Sequence, residues 1–162
     1  MSGLKVGDSF PEGVKFSYVA PSGDDILSCG VPGPYDASAE FRNKKVVLVA
    51  VPGAFTPTCQ ASHLPSYINN REALKAKGVD QVVVIAYNDA FVMSAWGKAN
   101  GVRDDFIIFA DDNGFSKSIG WTLGERTARY AIAVDHGKVV YAEKEDGKGI
   151  DKSGAEAVLA KL

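Results

Sequence analysis

The chain has 162 residues, which is typical of one domain with an ordinary hydrophobic core, and we predict a single domain over residues 1–162. Its 46% hydrophobic and 23% charged residues are those of a globular protein. With 18 Lys and Arg residues against 20 Asp and Glu, the net charge of −2 gives no basic field for nucleic acid or anionic lipid. The longest apolar runs are far shorter than the roughly 20 residues that cross a bilayer. We therefore expect neither a nucleic-acid partner nor a membrane partner.

Segments with the pattern of buried strands occur in the middle of the chain. Residues 45–51 and 81–87 are β-branched and apolar on both faces, and residues 106–110 form a shorter run. Strands of this kind lie inside a sheet that is covered on both sides.

Two longer segments between these strands have the apolar spacing of helices. The first, residues 59–77, ends before Gly78, and the second, residues 90–100, ends before Gly101. We predict that the packing stripe of the second helix consists of Phe91, Val92, Ala95 and Trp96.

The last third of the chain predicts a hairpin and a terminal helix. Strands over residues 129–134 and 138–142 flank the turn Asp135-His136-Gly137, and Ser153 would cap a helix over residues 154–161. Alternating strands and helices followed by a hairpin predict an α/β fold with a mixed central sheet between helices. This pattern defines the fold class and leaves the function open.

Most of the chemical information lies in the string Pro52-Gly53-Ala54-Phe55-Thr56-Pro57-Thr58-Cys59. It follows a buried strand and places Cys59 in the first turn of a helix, where unpaired N–H groups stabilise a thiolate. Thr56 could direct its hydroxyl into the same pocket. From the residues alone, an inert buried cysteine is an equally good interpretation, because free cysteine is among the most buried residue types.

The pattern Pro-x-x-x-Thr-x-x-Cys, formed by Pro52, Thr56 and Cys59, resembles the active-site motif of peroxiredoxins. The longer string, followed by His63-Leu64-Pro65, is similar to the type II (peroxiredoxin-5-like) group, with fungal members closest, and similar stretches cover most of the chain. The resemblance implies a thioredoxin-like fold. It also implies a thiol peroxidase that reduces hydrogen peroxide and small alkyl hydroperoxides.

The same resemblance implies a catalytic role for four residues. Cys59 would attack the peroxide and become a sulfenic acid. Thr56 and Arg129 would stabilise the reacting oxygens, and Pro52 would shield the thiolate from water. Arg126 lies close by, but the strand start R-Y-A-I-A-V assigns the role to Arg129. A surface salt bridge is the alternative for that arginine.

The resemblance also bears on how the enzyme is regenerated. Related enzymes carry a second cysteine either in the strand after the first helix or near the C-terminus, and this sequence has none at either position. Cys29, in a Gly- and Pro-rich loop, remains. Our hypothesis is that Cys29 condenses with the sulfenic acid of Cys59, within or between subunits. In the alternative, Cys29 is a bystander and an external thiol reacts. The electrons would come from thioredoxin, or from glutathione with or without glutaredoxin.

His63 lies four residues after Cys59, on roughly the same face of the predicted helix. A closed zinc site would need both cysteines together with His63 and His136, so we expect no metal. The sequence has no phosphate-binding or dinucleotide-binding motif, and we expect no cofactor. Packing or hydrogen bonding is the favoured role for His63, with electrostatic modulation of Cys59 as the alternative.

Aromatic residues of core or interface character, together with the family resemblance, favour a homodimer. The final tripeptide Ala160-Lys161-Leu162 is a close variant of the peroxisomal address Ser-Lys-Leu, so we expect a peroxisomal protein, a cytoplasmic one, or both. The alternative function is that of a redox sensor or relay, which passes oxidation to a partner protein.

A catalytically silent thioredoxin-like domain is disfavoured, because all four expected pocket residues are present.

Overall fold

A computed structural model describes residues 3–21, 23 and 25–162. The strands are β1 (Lys15–Tyr18), β2 (Gly33–Asp36), β3 (Lys45–Ala50), β4 (Gln81–Ala86), β5 (Ile107–Asp111), β6 (Thr122–Leu123), β7 (Arg126–Thr127), β8 (Tyr130–Asp135) and β9 (Lys138–Lys144). The α-helices are α1 (Ala37–Arg42), α2 (Leu64–Asn69), α3 (Arg71–Ala76), α4 (Ala90–Ala99), α5 (Phe115–Ser118) and α6 (Ala155–Leu159). A π-helical turn (Cys59–His63) leads directly into α2.

The described residues form a seven-stranded sheet in the order β2-β1-β5-β4-β3-β8-β9. The strands β3, β4 and β5 are parallel neighbours, while the pairs β3–β8, β8–β9, β1–β5 and β1–β2 are antiparallel. The predicted α/β class with a mixed sheet is therefore confirmed. No helix in the described part of the chain is long and apolar enough to cross a bilayer.

Both faces of the central strands are buried, as their apolar pattern predicts. In β3, Val47 and Val49 pack into one hydrophobic cluster, whereas Val46 and Leu48 pack into the cluster on the other face. This division follows from the alternation of side chains along a strand. The sheet therefore forms a rigid base for the loops that leave its edge.

One edge of the sheet positions the chemical groups. The loop that contains Pro52 leaves the carboxyl end of β3, and Ala50 pairs with Tyr130, the first residue of the antiparallel strand β8. Because of this register, Arg129 lies where the loop begins, although it is far away in sequence.

The segment predicted as one helix over residues 59–77 is divided. It starts as a π-helical turn, in which the N–H of Leu64 donates to the carbonyl of Cys59, and it breaks between α2 and α3 at Asn70 (φ −105°, ψ 15°). The predicted stop is confirmed at Gly78, whose φ of 82° suits a residue without a Cβ.

The predicted packing stripe of α4 is wrong except for Trp96. Phe91 and Val92 are 47% and 36% exposed, whereas Met93 and Trp96 are fully buried. The carboxylate of Asp89 caps the helix by accepting from the N–H of Val92. The helix turns its Ala90–Met93–Gly97 face towards the sheet, and apolar residues on the opposite side stay exposed.

The terminal hairpin is confirmed, and the predicted helix cap is wrong. His136 and Gly137 have positive φ values of 49° and 86°, the conformation of a two-residue turn between β8 and β9. Gly154, rather than Ser153, precedes the first turn of α6. The hydroxyl of Ser153 donates to the carboxylate of Glu145, and the N–H of Ala155 in the first turn donates to Oγ of Ser66 instead.

Candidate active site

The sulfur at the centre of the site belongs to Cys59, the first residue of the π-helical turn, which is only 1% exposed. The preceding loop reverses at Phe55, whose φ of 62° is a left-handed conformation that costs about 1 kcal/mol for a residue with a side chain. The side-chain oxygen of Asn88 accepts from the N–H of Ala54 at 2.9 Å and fixes this loop to the end of β4. π-Helical turns are rare in proteins, and those that are found often lie at functional sites.

Arg129 brings a positive charge to the sulfur. Its Nη2 lies 3.4 Å from Sγ of Cys59, and its carbonyl accepts from the N–H of Glu145 at 2.9 Å, which ties its backbone to the end of β9. Arg126 is exposed and lines a different pocket, with Tyr87 and Lys117. Of the two arginines considered from the sequence, the fold brings Arg129 to Cys59.

The second Nη atom of Arg129 contacts a buried histidine. Nη1 donates to Nδ1 of His63 at 2.9 Å, and Nε2 of His63 lies 3.0 Å from the carbonyl oxygen of Ser153. Because that carbonyl only accepts, the ring carries its hydrogen on Nε2 and offers Nδ1 as the acceptor. Burial, together with the charge of Arg129, lowers the pKa of His63 from 6.5 to about 4. The imidazole is therefore neutral near pH 7.

Thr56 points its hydroxyl towards its own loop. Its Oγ1 donates to the carbonyl of Gly53 at 2.6 Å, so the lone pairs of this oxygen remain available to accept a hydrogen bond. A Cβ on Gly53 would lie 3.1 Å from Cγ2 of Thr56, so glycine leaves this side chain the space it occupies. Thr56 thus lies in the loop that leads to Cys59 with an oxygen able to accept, but its side chain is not among those that line the pocket beside Arg129.

An open pocket of about 230 Å³ lies beside these groups. Pro52, Thr58 and Arg129 form one wall, and the opposite side is formed by the loop from Lys144 to Lys148 together with Leu123. The structure therefore brings together Pro52 and Arg129 at the pocket, with Cys59 buried next to the arginine. A small molecule could reach this region from solvent.

A side-chain network fixes the π-helical turn to α4. Nε1 of Trp96 donates to Oε1 of Gln60 at 2.6 Å, and Nε2 of Gln60 donates to Oδ1 of Asn100 at 2.7 Å. Gln60 is a residue of the site that the sequence patterns did not predict. An amide one residue after the cysteine was the only signal, and amides are common on exposed helix faces.

Cys29 lies apart from this group of residues in an exposed loop, and the structure describes both cysteines as free thiols. Its sulfur makes only a weak contact of 3.9 Å with the carbonyl of Leu27. Nζ of the largely buried Lys98 donates to the carbonyl of Ser28 at 2.9 Å and holds the preceding turn. The thiol of Cys29 is therefore open to solvent, unlike that of Cys59.

Over the part of the chain that the structure describes, no three His, Cys, Asp or Glu side chains are grouped in a way that could hold a metal ion. His63 is satisfied on both ring nitrogens by Arg129 and Ser153. His136 is exposed and contacts its neighbour Asp135. The chemistry that these residues can perform is therefore that of a buried sulfur beside a guanidinium.

Comparison with known proteins agrees with this geometry. The Redoxin family model matches residues 5–159. Among curated proteins, peroxiredoxin Pen c 3 of Penicillium citrinum is 59% identical, covering 98% of this chain and 99% of its own. A putative peroxisomal peroxiredoxin of Lipomyces kononenkoae is 54% identical, covering 96% and 99%. The crystal structure of reduced Prx3 from Vibrio vulnificus in complex with hydrogen peroxide superimposes with a TM-score of 0.83 at 36% identity, covering 97% and 98%.

These matches extend over nearly the whole chain, well beyond the cysteine motif. They confirm the thioredoxin-like fold that the resemblance implies. The structural neighbours also include peroxiredoxin 5 of Alvinella pompejana, with a TM-score of 0.78. The chain therefore belongs to the Redoxin family, as a type II, peroxiredoxin-5-like peroxiredoxin related to the fungal members.

Proposed function

We propose that this peroxiredoxin reduces hydrogen peroxide and small alkyl hydroperoxides through Cys59. The observation that carries the proposal is the 3.4 Å contact between Nη2 of Arg129 and the buried sulfur of Cys59. The thiolate attacks the distal oxygen, so that an S–O bond forms while the O–O bond breaks. Cys59 becomes a sulfenic acid, and the departing alkoxide or hydroxide takes up a proton to leave as alcohol or water.

The surrounding groups act on the oxygens of the peroxide. Arg129 stabilises the negative charge, which moves from sulfur to the leaving oxygen during the reaction. The oxygen of Thr56, whose own hydrogen is donated to Gly53, accepts the O–H of the peroxide and orients it. Pro52, at the wall of the pocket, limits the access of water to the sulfur. An ionised thiol alone does not account for fast peroxide reduction, since nucleophilicity falls with thiol pKa.

Cys29 resolves the oxidised enzyme in this proposal. Its thiol condenses with the sulfenic acid of Cys59, which forms a disulfide and releases water, and an external thiol then reduces the disulfide. Cys29 is exposed and Cys59 is buried, so the π-helical turn must unwind before the two sulfurs meet. Thioredoxin, or glutathione with or without glutaredoxin, supplies the electrons.

The proposed working unit is a homodimer whose subunits each consist of one domain over residues 1–162. Apolar side chains are exposed on the loops and on α4 near the site, which supports an interface with a second copy. They are Phe55, Tyr87, Phe91, Val92 and Leu123. Light scattering coupled to size exclusion measures the mass of the assembly, and a monomer at micromolar concentration would contradict this part of the proposal.

We place the enzyme in peroxisomes, in the cytoplasm, or in both. The tripeptide Ala160-Lys161-Leu162 and the description of the Lipomyces relative as peroxisomal support the first location. A fluorescent protein that carries this tripeptide at its C-terminus tests the address. A signal that stays diffuse would remove the peroxisomal part.

Steady-state turnover tests the function itself. NADPH consumption coupled to thioredoxin reductase and thioredoxin, and separately to glutathione reductase, glutathione and glutaredoxin, is recorded with hydrogen peroxide. We expect sustained turnover in at least one system and none with Cys59→Ser. The alternative, a sensor or relay, predicts a single oxidation without turnover and transfer of the oxidation to a partner protein. Full activity in Cys59→Ser would show that the site is misassigned.

A further inference from the structure

A series of hydrogen bonds connects the active-site arginine to the C-terminal part of the fold. Nη1 of Arg129 donates to Nδ1 of His63, and Nε2 of His63 donates to the carbonyl of Ser153. The hydroxyl of Tyr67 donates to the same carbonyl at 2.6 Å. His63, Tyr67 and Ser153 are all fully buried, so water does not compete for these bonds.

One carboxylate holds the end of this hydrogen-bond series that is farther from Cys59. Oε2 of Glu145 accepts from the N–H and the hydroxyl of Ser153, both at 2.6 Å, and from the N–H of Lys152 at 2.9 Å. The backbone N–H of Glu145 also donates to the carbonyl of Arg129. Glu145 therefore contacts both ends of the hydrogen-bond series, Ser153 at one end and the backbone of Arg129 at the other.

We infer that His63 is the positioning residue of the active-site arginine: it holds the guanidinium of Arg129 against Cys59 without neutralising it, and Ser153 and Glu145 hold His63 in turn. The inference rests on the proposed function and adds a group that does not itself touch the peroxide. Arginine has a long side chain with large rotamer entropy, so an acceptor on Nη1 is needed to keep Nη2 at the sulfur.

The chemical nature of the acceptor matters as much as its position. A carboxylate bonded to Arg129 would cancel most of its charge, whereas a neutral imidazole orients the guanidinium and leaves the full charge for sulfur and for the leaving oxygen. The structure places the anion of Glu145 one step further out, on Ser153. Orientation and charge are thus supplied by separate residues.

A double-mutant cycle tests the inference. The rate of Cys59 oxidation by hydrogen peroxide is measured by stopped flow for His63→Leu, which lacks both ring nitrogens, and for His63→Gln, whose amide can donate to Ser153 and accept from Arg129. We expect His63→Leu to slow oxidation about tenfold, as for the loss of one orienting hydrogen bond, and His63→Gln to restore the rate to within about threefold of wild type.

The same substitutions are then made together with Arg129→Met. Because His63 acts through the arginine, His63→Leu should change the rate of the Arg129→Met enzyme by less than about twofold. Losses that multiply in the double variant would overturn the inference. Glu145→Ala should slow oxidation about threefold, while Glu143→Ala, an exposed control two residues earlier in β9, leaves the rate unchanged.

A spectroscopic measurement on the wild-type protein separates this inference from the proposed function and from any folding defect of the variants. Nitrogen-15 NMR of the imidazole at neutral pH should show hydrogen on Nε2 and none on Nδ1 of His63. Hydrogen on Nδ1 would overturn the inference even if the enzyme is active. A wild-type enzyme that is not oxidised by peroxide would refute the proposed function and leave the NMR result to decide the hydrogen bonding.

Discussion

Ala50 at the end of β3 pairs with Tyr130 at the start of β8, and this single register connects the two halves of the active site. The residues that follow Ala50 form the loop to Cys59, and the residue that precedes Tyr130 is Arg129. Because the two strands are antiparallel, the end of one meets the beginning of the other at the same edge of the sheet. The contact between the guanidinium of Arg129 and the sulfur of Cys59 thus follows from the register of β3 and β8, and the loop between Ala50 and Cys59 sets the final distance.

The first prediction concerns the two nearby arginines. Arg129→Met should lower the rate of Cys59 oxidation by hydrogen peroxide by about 100-fold, because the charge that stabilises the reacting oxygens is lost. Arg126→Met is the matched control, since Arg126 is exposed and lines another pocket. Stopped-flow oxidation measures both variants. Equal losses in the two variants would mean that the effect comes from net charge and not from the contact.

Much of this arrangement could be predicted from the sequence. The buried strands, the turn at His136-Gly137 and the position of Cys59 at a helix start follow from local patterns of apolar residues, glycine and proline. The choice of Arg129 over Arg126 depended on resemblance, because the distance between Arg129 and Cys59 is set by strand register, which local pattern does not specify.

The parts that the sequence did not reveal are those that depend on tertiary contacts. The side chain of Ser153 has the chemistry of a helix cap, but the fold points it at the carboxylate of Glu145, and Ser66 from a distant segment accepts from the first turn of α6. On α4, Phe91 and Met93 are both apolar, and only the position of the sheet decides that Met93 is buried. The hydrogen bond between the half-buried Arg129 and the buried His63 joins residues distant in sequence, so no spacing rule indicates it.

The second prediction concerns Thr56. Thr56→Val keeps the shape of the side chain but removes the oxygen that accepts from the peroxide, so we expect the oxidation of Cys59 to slow by roughly 100-fold. Thr56→Ser keeps the hydroxyl that donates to Gly53 and should stay within about fivefold of wild type. Stopped-flow oxidation with hydrogen peroxide and with an alkyl hydroperoxide measures both variants. A Thr56→Val enzyme as fast as Thr56→Ser would show that the oxygen has no role in the reaction.

The third prediction concerns the exposed thiol. Cys29→Ser should leave the oxidation of Cys59 unchanged, because Cys29 is exposed while Cys59 is buried beside Arg129. After one equivalent of peroxide, mass spectrometry of the wild type should find a disulfide between Cys29 and Cys59, and the Cys29→Ser variant should retain sulfenic acid. The same oxidation of the wild type in the presence of glutathione tests the alternative, in which an external thiol reacts with Cys59. Cys59 that becomes glutathionylated, with Cys29 still free, would make Cys29 a bystander.

The fourth prediction concerns the dependence of stability on pH. The pKa of His63 falls from 6.5 in the unfolded chain to about 4 in the folded protein, because of burial and the charge of Arg129. The unfolded state therefore binds more protons between these two values. The stabilisation is fully present above about pH 6.5 and decreases as the pH falls through about 4, for a total of about 3 kcal/mol.

Urea unfolding between pH 7 and pH 4 measures this loss, and His63→Gln serves as the control because its amide does not titrate in this range. The variant is expected to be less stable than wild type at pH 7, and the difference should shrink as the pH falls. Besides Ser153, the ring of His63 faces the guanidinium of Arg129 and the aromatic ring of Tyr67, and burial raises the pKa of Tyr67 further above this pH range. Parallel stability curves for wild type and variant would show that His63 takes up its proton equally in both states, and that the neutral imidazole beside Arg129 does not shape the acid sensitivity of the fold.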